Sequence, residues 1–73
     1  MQTYAGRIEI YNAACRQAAE QALRDVGVAF TRCDGGDWWR CDVEAITAEQ
    51  YDRVIDSMSV AGVAGDDWNF PLD

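Results

Sequence analysis

The sequence predicts an α+β sandwich with the element order β-α-β-β-α-β, in which two helices cover one face of an antiparallel sheet. Three observations lead to this prediction. Short stretches with the two-residue alternation of a strand frame two longer stretches with the period of a helix. A Gly-Gly pair separates the second and third alternating stretches, as in a β-hairpin. The chain of 73 residues leaves room for one domain, predicted over residues 1–73.

The first strand and the first helix follow each other closely. Residues 4–11 alternate, so that two isoleucines face one side and charged residues face the other. Asn12 is a favourable N-cap for a helix over residues 13–26, where apolar residues recur every three or four positions. Gly27 is expected to end this helix, because glycine accepts the left-handed conformation of a C-terminal cap.

The second and third strands, residues 28–33 and 38–46, are predicted to pair through a tight turn. A two-residue turn at the two glycines would place Phe30 opposite Cys41. In this register the apolar residues of both strands fall on one face of the sheet and the polar residues fall on the other. The turn length and the hydrophobic pattern therefore agree on a hairpin.

The three cysteines, Cys15, Cys33 and Cys41, are predicted to be reduced. The hairpin register puts Cys33 and Cys41 on opposite faces, so a disulfide between them is not expected. The number of cysteines is odd, and the chain has no histidine and no Cys-x-x-Cys pair, so we expect no metal site. Cys15 and Cys41 are predicted core residues, whereas Cys33 is expected to lie on the open face near the hairpin tip.

A second helix is predicted to begin after Thr47. Thr47 and Gln50 have the spacing of a capping box, and Ile46 and Tyr51 occupy the two positions of a hydrophobic staple. Apolar residues then continue at helical spacing, and Gly62 is the expected end of the helix.

The final stretch, residues 66–73, alternates again. Pro71 cannot donate a ladder hydrogen bond, so a strand here would lie at a sheet edge. Such a strand completes the ferredoxin-like arrangement, whereas an irregular tail would leave a three-stranded relative of it. In both cases Trp68 and Phe70 are predicted to be largely buried, because aromatics at alternate positions are more often core residues than a free motif.

The residue types that support catalysis are largely missing. Without histidine the chain lacks the commonest general base at neutral pH. The stretch 34–37, Asp-Gly-Gly-Asp, lacks the spacing of a calcium loop, and no phosphate-binding motif follows it. We therefore predict a non-enzymatic protein without a cofactor. The sequence shows no signal-peptide pattern and no run of about 18 apolar residues, so a soluble cytoplasmic protein is expected.

Acidic residues are concentrated in the second half of the chain. Residues 1–33 hold four arginines and three acids, a net charge of +1, whereas residues 34–73 hold two arginines and ten acids, a net charge of −8. Glu49, Asp52 and Asp56 line one face of the second helix. Such acids either keep the protein soluble or meet the arginines and lysines of a partner by imitating the charge of a nucleic acid.

The sheet face that the helices leave open is expected to carry Tyr11, Trp38 and Arg40. This arrangement resembles the RNA-recognition motif in topology, but the aromatic-rich signature of that family is missing. Asp42 and Glu44 are predicted on the same face and would repel phosphate, so we expect no direct binding of nucleic acid. A second copy of the chain or the C-terminal tail is expected to cover this face.

The overall profile of the chain, which is short, strongly acidic and without a catalytic motif, resembles that of small phage-encoded inhibitors, anti-CRISPR proteins among them. The resemblance implies a stoichiometric inhibitor that occupies the basic groove of a nucleic-acid-binding protein or nucleoprotein complex in the host cytoplasm. The residues expected to meet this partner are Trp38 and nine acids: Asp34, Asp37, Asp42, Glu44, Glu49, Asp52, Asp56, Asp66 and Asp67. The alternative is a small adaptor or homodimerisation module that binds through its open sheet face or its C-terminal tail.

Overall fold

Two helices and a four-stranded sheet make up the computed structural model, which describes residues 2–35 and 38–73. The strands are β1 (Tyr4–Ile10), β2 (Thr31–Asp34), β3 (Trp39–Ile46) and β4 (Trp68–Asn69), and the helices are α1 (Arg16–Val26) and α2 (Ala48–Val60). Short 3-10 turns at Ala13–Cys15 and Gly65–Asp67 precede α1 and β4. The observed element order confirms the predicted ferredoxin-like α+β arrangement.

The sheet has the strand order β2-β3-β1-β4, so β1 and β3 are central and β2 and β4 are the edges. Each neighbouring pair is antiparallel. The chain leaves β1 through α1 to reach the edge beyond β3, and it leaves β3 through α2 to reach the edge beyond β1. These crossovers associate α1 with the β2–β3 half of the sheet and α2 with the β1–β4 half.

The core lies between the helices and one face of the sheet. Its buried residues form a single cluster: Ile8, Ile10, Cys15, Ala19, Ala22, Leu23, Val28, Trp39, Cys41, Val43, Ile46, Val54, Met58 and Phe70. Along β1 and β3 these apolar residues alternate with charged residues that point to the other face. The sandwich therefore has one covered sheet face and one open sheet face.

The third strand contains one more residue than the stretch of β1 that it faces. Gly6 pairs with Val43 but Tyr4 pairs with Ile46, so two steps along β1 match three steps along β3. The extra residue is a β-bulge, which reverses the inward and outward alternation of β3. Ile46 is consequently 0% exposed and lies in the core, directly before the residue that caps α2.

The hairpin of β2 and β3 has a different register from the predicted one. Cys41 lies opposite Arg32 rather than Phe30, and Phe30 precedes the strand. The pairing is shifted by two residues. A shift of two leaves every side chain on the same face, so the hydrophobic pattern fits both registers equally well. The prediction that Phe30 faces Cys41 was wrong for this reason.

Gly35 and Trp38 close the described part of the hairpin. The Gly35 amide donates to the Trp38 carbonyl oxygen over 3.1 Å. The Trp38 indole lies over Gly35, at the place that a Cβ atom would occupy, so a larger residue at position 35 would displace the indole. Gly36 and Asp37, which belong to the predicted turn, lie outside the described residues.

Both helices begin at the predicted caps, the first after an added 3-10 turn. Asn12 Oδ1 accepts a hydrogen bond from the Ala14 amide over 3.1 Å, and α1 itself begins at Arg16. At α2, Thr47 Oγ1 accepts from the Gln50 amide over 3.1 Å, and Gln50 Oε1 accepts from the Thr47 amide over 3.0 Å. These two bonds form the capping box that the sequence predicts.

The last residues pack onto the fold as a short edge strand and an ordered tail. Phe70 is 5% exposed, and its ring centroid lies 4.8 Å from that of Tyr51. The Tyr51 hydroxyl donates to the Phe70 carbonyl oxygen over 3.0 Å, and the Arg7 amide donates to the Pro71 carbonyl oxygen over 3.1 Å. The burial predicted for Phe70 is confirmed, whereas Trp68 is half-buried.

Replacing Thr47 by Ala is expected to lower the free energy of unfolding by about 1 kcal/mol, because the Gln50 amide loses its acceptor. Ser59→Ala is the matched control, since it removes an exposed hydroxyl from the same helix. Urea denaturation followed by circular dichroism measures both variants. A Thr47→Ala midpoint equal to that of the control would mean that the capping box does not stabilise α2.

Replacing Phe70 by Ala is expected to lower the free energy of unfolding by about 3 kcal/mol or more, because it removes a buried ring that packs on Tyr51. Leu72→Ala, at a position that is 37% exposed, should cost about 1 kcal/mol or less. The same denaturation experiment compares the two. Unchanged stability of Phe70→Ala would show that the tail is not part of the folded unit.

Candidate protein-binding surfaces

The acids predicted to meet a partner lie on two different sides of the molecule. The sheet carries Asp34, Asp42 and Glu44. The second helix and the turn before β4 carry Glu49, Asp52, Asp56, Asp66 and Asp67. Asp37 lies outside the described residues. The five acids of α2 and of the turn before β4 are called the acidic surface below.

Arginines balance most of the carboxylates on the open sheet face. Glu9 Oε2 lies 3.6 Å from Arg7 Nε, and Asp42 Oδ1 lies 3.3 Å from Arg40 Nε. All four side chains are partly exposed, so each pair contributes little to stability, on the order of 1 kcal/mol or less. Glu44 is exposed near the end of β3. The open face is therefore close to neutral.

On the α1 and β2 side of the molecule, Asp34 and Glu20 are also paired with arginines. Asp34 Oδ2 lies 3.4 Å from Arg16 Nη1. The Glu20 carboxylate lies between two arginines, 3.6 Å from Arg24 Nη2 and 3.7 Å from Arg32 Nη1. This side consequently carries a mixed charge pattern rather than a field of one sign.

The acidic surface is different, because its carboxylates outnumber the available cations. Residues 48–73 hold six acids and one arginine, a net charge of −5. That arginine, Arg53, is already bound to Glu49 over 2.9 Å. Asp52, Asp56 and Asp66 are exposed, and none of them has an ion-pair partner among residues 2–35 and 38–73. The excess negative charge of the molecule is concentrated here.

The two parts of the acidic surface are held next to each other by apolar contacts. Tyr51 and Ile55 of α2 line a cleft of about 250 Å3 together with Gly65, Trp68 and Phe70. The turn that carries Asp66 and Asp67 therefore lies beside α2. Packing of the tail thus fixes the relative positions of the carboxylates.

A second candidate surface is an aromatic cleft on the open sheet face. Tyr11 is 64% exposed and Trp38 is 50% exposed, and both line a cleft of about 470 Å3 with Glu9 and Arg40. The Arg40 guanidinium carbon lies 5.5 Å from the centroid of the Trp38 ring, which is within the range of a cation–π contact. The predicted grouping of Tyr11, Trp38 and Arg40 on this face is confirmed.

A third candidate, which the sequence analysis did not identify, is a groove between the two helices. It has a volume of about 370 Å3, and residues of both α1 and α2 line it. Val60, the last residue of α2, lines the groove and is 89% exposed. The only signal in the sequence was that Val60 falls outside the apolar stripe of the helix.

The three cysteines are free and differ in accessibility. Cys15 and Cys41 are buried, and burial raises the pKa of the Cys41 thiol from about 9.0 to about 12. Cys33 is half-buried, and its Sγ lies 3.7 Å from Asp42 Oδ2. Among the described residues, no group of three cysteine, aspartate or glutamate side chains could hold a metal ion.

A thiol reagent such as dithionitrobenzoate is expected to react with one cysteine of the native protein, Cys33, and with all three after denaturation. The reason is that Cys15 and Cys41 are shielded in the core and the Cys41 thiol stays protonated below about pH 9. Absorbance during labelling at pH 8 measures the reaction, with Cys33→Ser as the control. Native labelling that persists in Cys33→Ser would contradict the burial of the other two thiols.

Comparison of the sequence with protein-family models and with curated proteins finds no match. In the part of the chain that the structure describes, neither helix has the length and apolar character needed to cross a membrane.

Proposed function

We propose that this protein is a stoichiometric inhibitor that binds a basic, nucleic-acid-binding protein through its acidic surface. In this role it occupies the groove that would otherwise hold a nucleic acid. The observation that carries the proposal is the exposure of Asp52, Asp56 and Asp66, which have no ion-pair partner among the described residues, whereas most other acids are paired with arginines.

Solubility alone does not require such a distribution. A net charge of −7 spread evenly over the surface would keep a protein of this size in solution. Concentrating the charge on one side produces a directional field, which raises the rate of encounter with an arginine-lined groove. This directional field favours binding to a basic partner over binding to a neutral one.

The rigidity of the acidic surface also favours binding to a preformed groove. The capping box fixes the start of α2, and the packing of Phe70 on Tyr51 fixes the tail. Asp52 and Asp56 are one helical turn apart and repel each other by a few tenths of a kcal/mol. Arginine or lysine side chains of a partner would relieve this repulsion when they bind.

The resemblance to small acidic phage inhibitors agrees with this proposal. A partner of this kind, such as a CRISPR effector complex or another nucleoprotein, operates in the cytoplasm, so we place the inhibitor there as well. The proposed activity needs no chemistry at the interface, because occupying the groove is sufficient to exclude nucleic acid.

A second candidate is an adaptor that binds a protein through the open sheet face. The exposed rings of Tyr11 and Trp38 on a face of balanced charge favour it. Docking through a free C-terminal tail has less support, because Phe70 is buried in the fold.

The test of the proposed function is capture of a partner from a nuclease-treated bacterial lysate by the immobilised protein, followed by competition with duplex DNA. We expect a basic nucleic-acid-binding partner whose capture decreases with salt, because exposed charges are screened beyond about 8 Å at physiological ionic strength. The triple variant Glu49→Gln, Asp52→Asn, Asp56→Asn should slow association at least tenfold, an estimate on the order of measured electrostatic steering.

The matched control removes the same number of charges from the open sheet face: Glu9→Gln, Asp42→Asn and Glu44→Gln. It should change the association rate by less than about threefold, because those acids lie on the other layer of the sandwich. Loss of capture in the control but not in the α2 variant would favour the adaptor instead. An acidic partner, or equal effects of both triple variants, would contradict binding through the acidic surface.

A further inference from the structure

The groove between α1 and α2 has an apolar floor made by small side chains. Ala18 and Ala22 supply it from α1, and the exposed Val60 and Ala61 line its edge at the end of α2. The alanines leave the space between the helices unfilled, while Val60 is almost fully exposed at its edge. An apolar ligand that fills this groove would cover Val60 and remove its side chain from water.

The rim of the same groove is acidic on both sides. Asp25 lines it from α1 and Asp56 lines it from α2. The Gln21 side-chain amide donates to Asp25 Oδ1 over 2.8 Å and so orients that carboxylate. Asp56 has no ion-pair partner in the described part of the chain. A ligand of this groove therefore meets apolar surface in the middle and a carboxylate on each side.

We propose that the groove binds a basic amphipathic helix of the partner protein. Apolar side chains of that helix would fill the floor, and its arginines or lysines would pair with Asp25 and Asp56. The inference rests on the proposed function and adds the form in which the basic partner is recognised.

The dimensions of the groove suit a short helical segment. On α1 it extends from Ala18 to Asp25, seven residues or about 10 Å along a helix axis, which corresponds to two helical turns. The two helices run antiparallel, since they return from antiparallel strands, and a third helix can lie along the furrow between such a pair. Two apolar side chains one turn apart on the partner helix would then both contact the floor of the groove.

The acidic rim favours a basic helix over a second copy of the chain as the ligand of the groove. A second copy carries the same net charge of −7 and would bring its own Asp25 and Asp56 to the same rim. Repulsion between these carboxylates opposes self-association through the groove. A basic helix gains attraction at the same positions.

The probe for this proposal is a synthetic 18-residue amphipathic peptide of leucine and lysine, compared with a counterpart in which glutamate replaces lysine. Both are titrated into the nitrogen-15-labelled full chain and followed by NMR. We expect the lysine peptide to shift the amide signals of Ala18, Ala22, Val60 and Ala61, and the glutamate peptide to leave them unchanged.

Two double variants that lose the same charge distinguish binding in the groove from attraction by the overall negative charge. Asp25→Asn with Asp56→Asn should weaken binding of the lysine peptide at least tenfold, whereas Asp52→Asn with Asp66→Asn should weaken it less than threefold. Val60→Ser, at an exposed position that leaves the core intact, should also weaken binding at least threefold.

Equal effects of the two double variants, shifts confined to the open sheet face, or no binding of the lysine peptide would each overturn the groove proposal. None of these results would contradict the proposed function, which the lysate experiment tests separately. If lysate capture remains sensitive to salt and to the α2 triple variant while the groove variants bind normally, the acidic surface binds its partner without using the groove.

Discussion

Pairing between the two central strands determines the position of every other element. β1 bonds to β3 along almost its whole length, and the bulge near Ile46 turns that residue into the core at the end of the strand. Thr47 follows at once as the cap of α2. The direction of α2, and with it the location of its carboxylates, therefore depends on one extra residue in β3.

The fold divides the acids of the second half of the chain between the sheet and the α2 side of the molecule. Acids on the sheet lie near an arginine of α1 or near an arginine two residues away on the same strand, because residues two apart in a strand point to the same face. The acids of α2 and the following turn have a single arginine near them in sequence, and the other five arginines pair with acids of β1, β2, β3 and α1. The result is a molecule with a balanced face and an acidic face.

Local signals in the sequence predicted the helices and strands well. The strand register and the helix groove depend on contacts between distant residues and could not be predicted. The capping box at Thr47 and Gln50 could be predicted because both partners are three residues apart. The pairing of Phe30 with Cys41 could not be decided, since a two-residue shift keeps every side chain on its face. The helix groove was missed because alanines such as Ala18 and Ala22 fit a core stripe equally well, and only the packing of α1 against α2 leaves them at a groove.

The position of β1 in the middle of the sheet has a consequence for how the chain folds as it is made. Its partners on one side come from residues 39–46 and on the other side from residues 67–73, so both sets of contacts are distant in sequence. Non-local pairings of this kind slow folding, because a long loop must close before they form. On the ribosome β1 emerges before both of its partner segments, so its two edges are unpaired at first. We expect the nascent chain to reach its native structure only after residues 67–73 have left the exit tunnel.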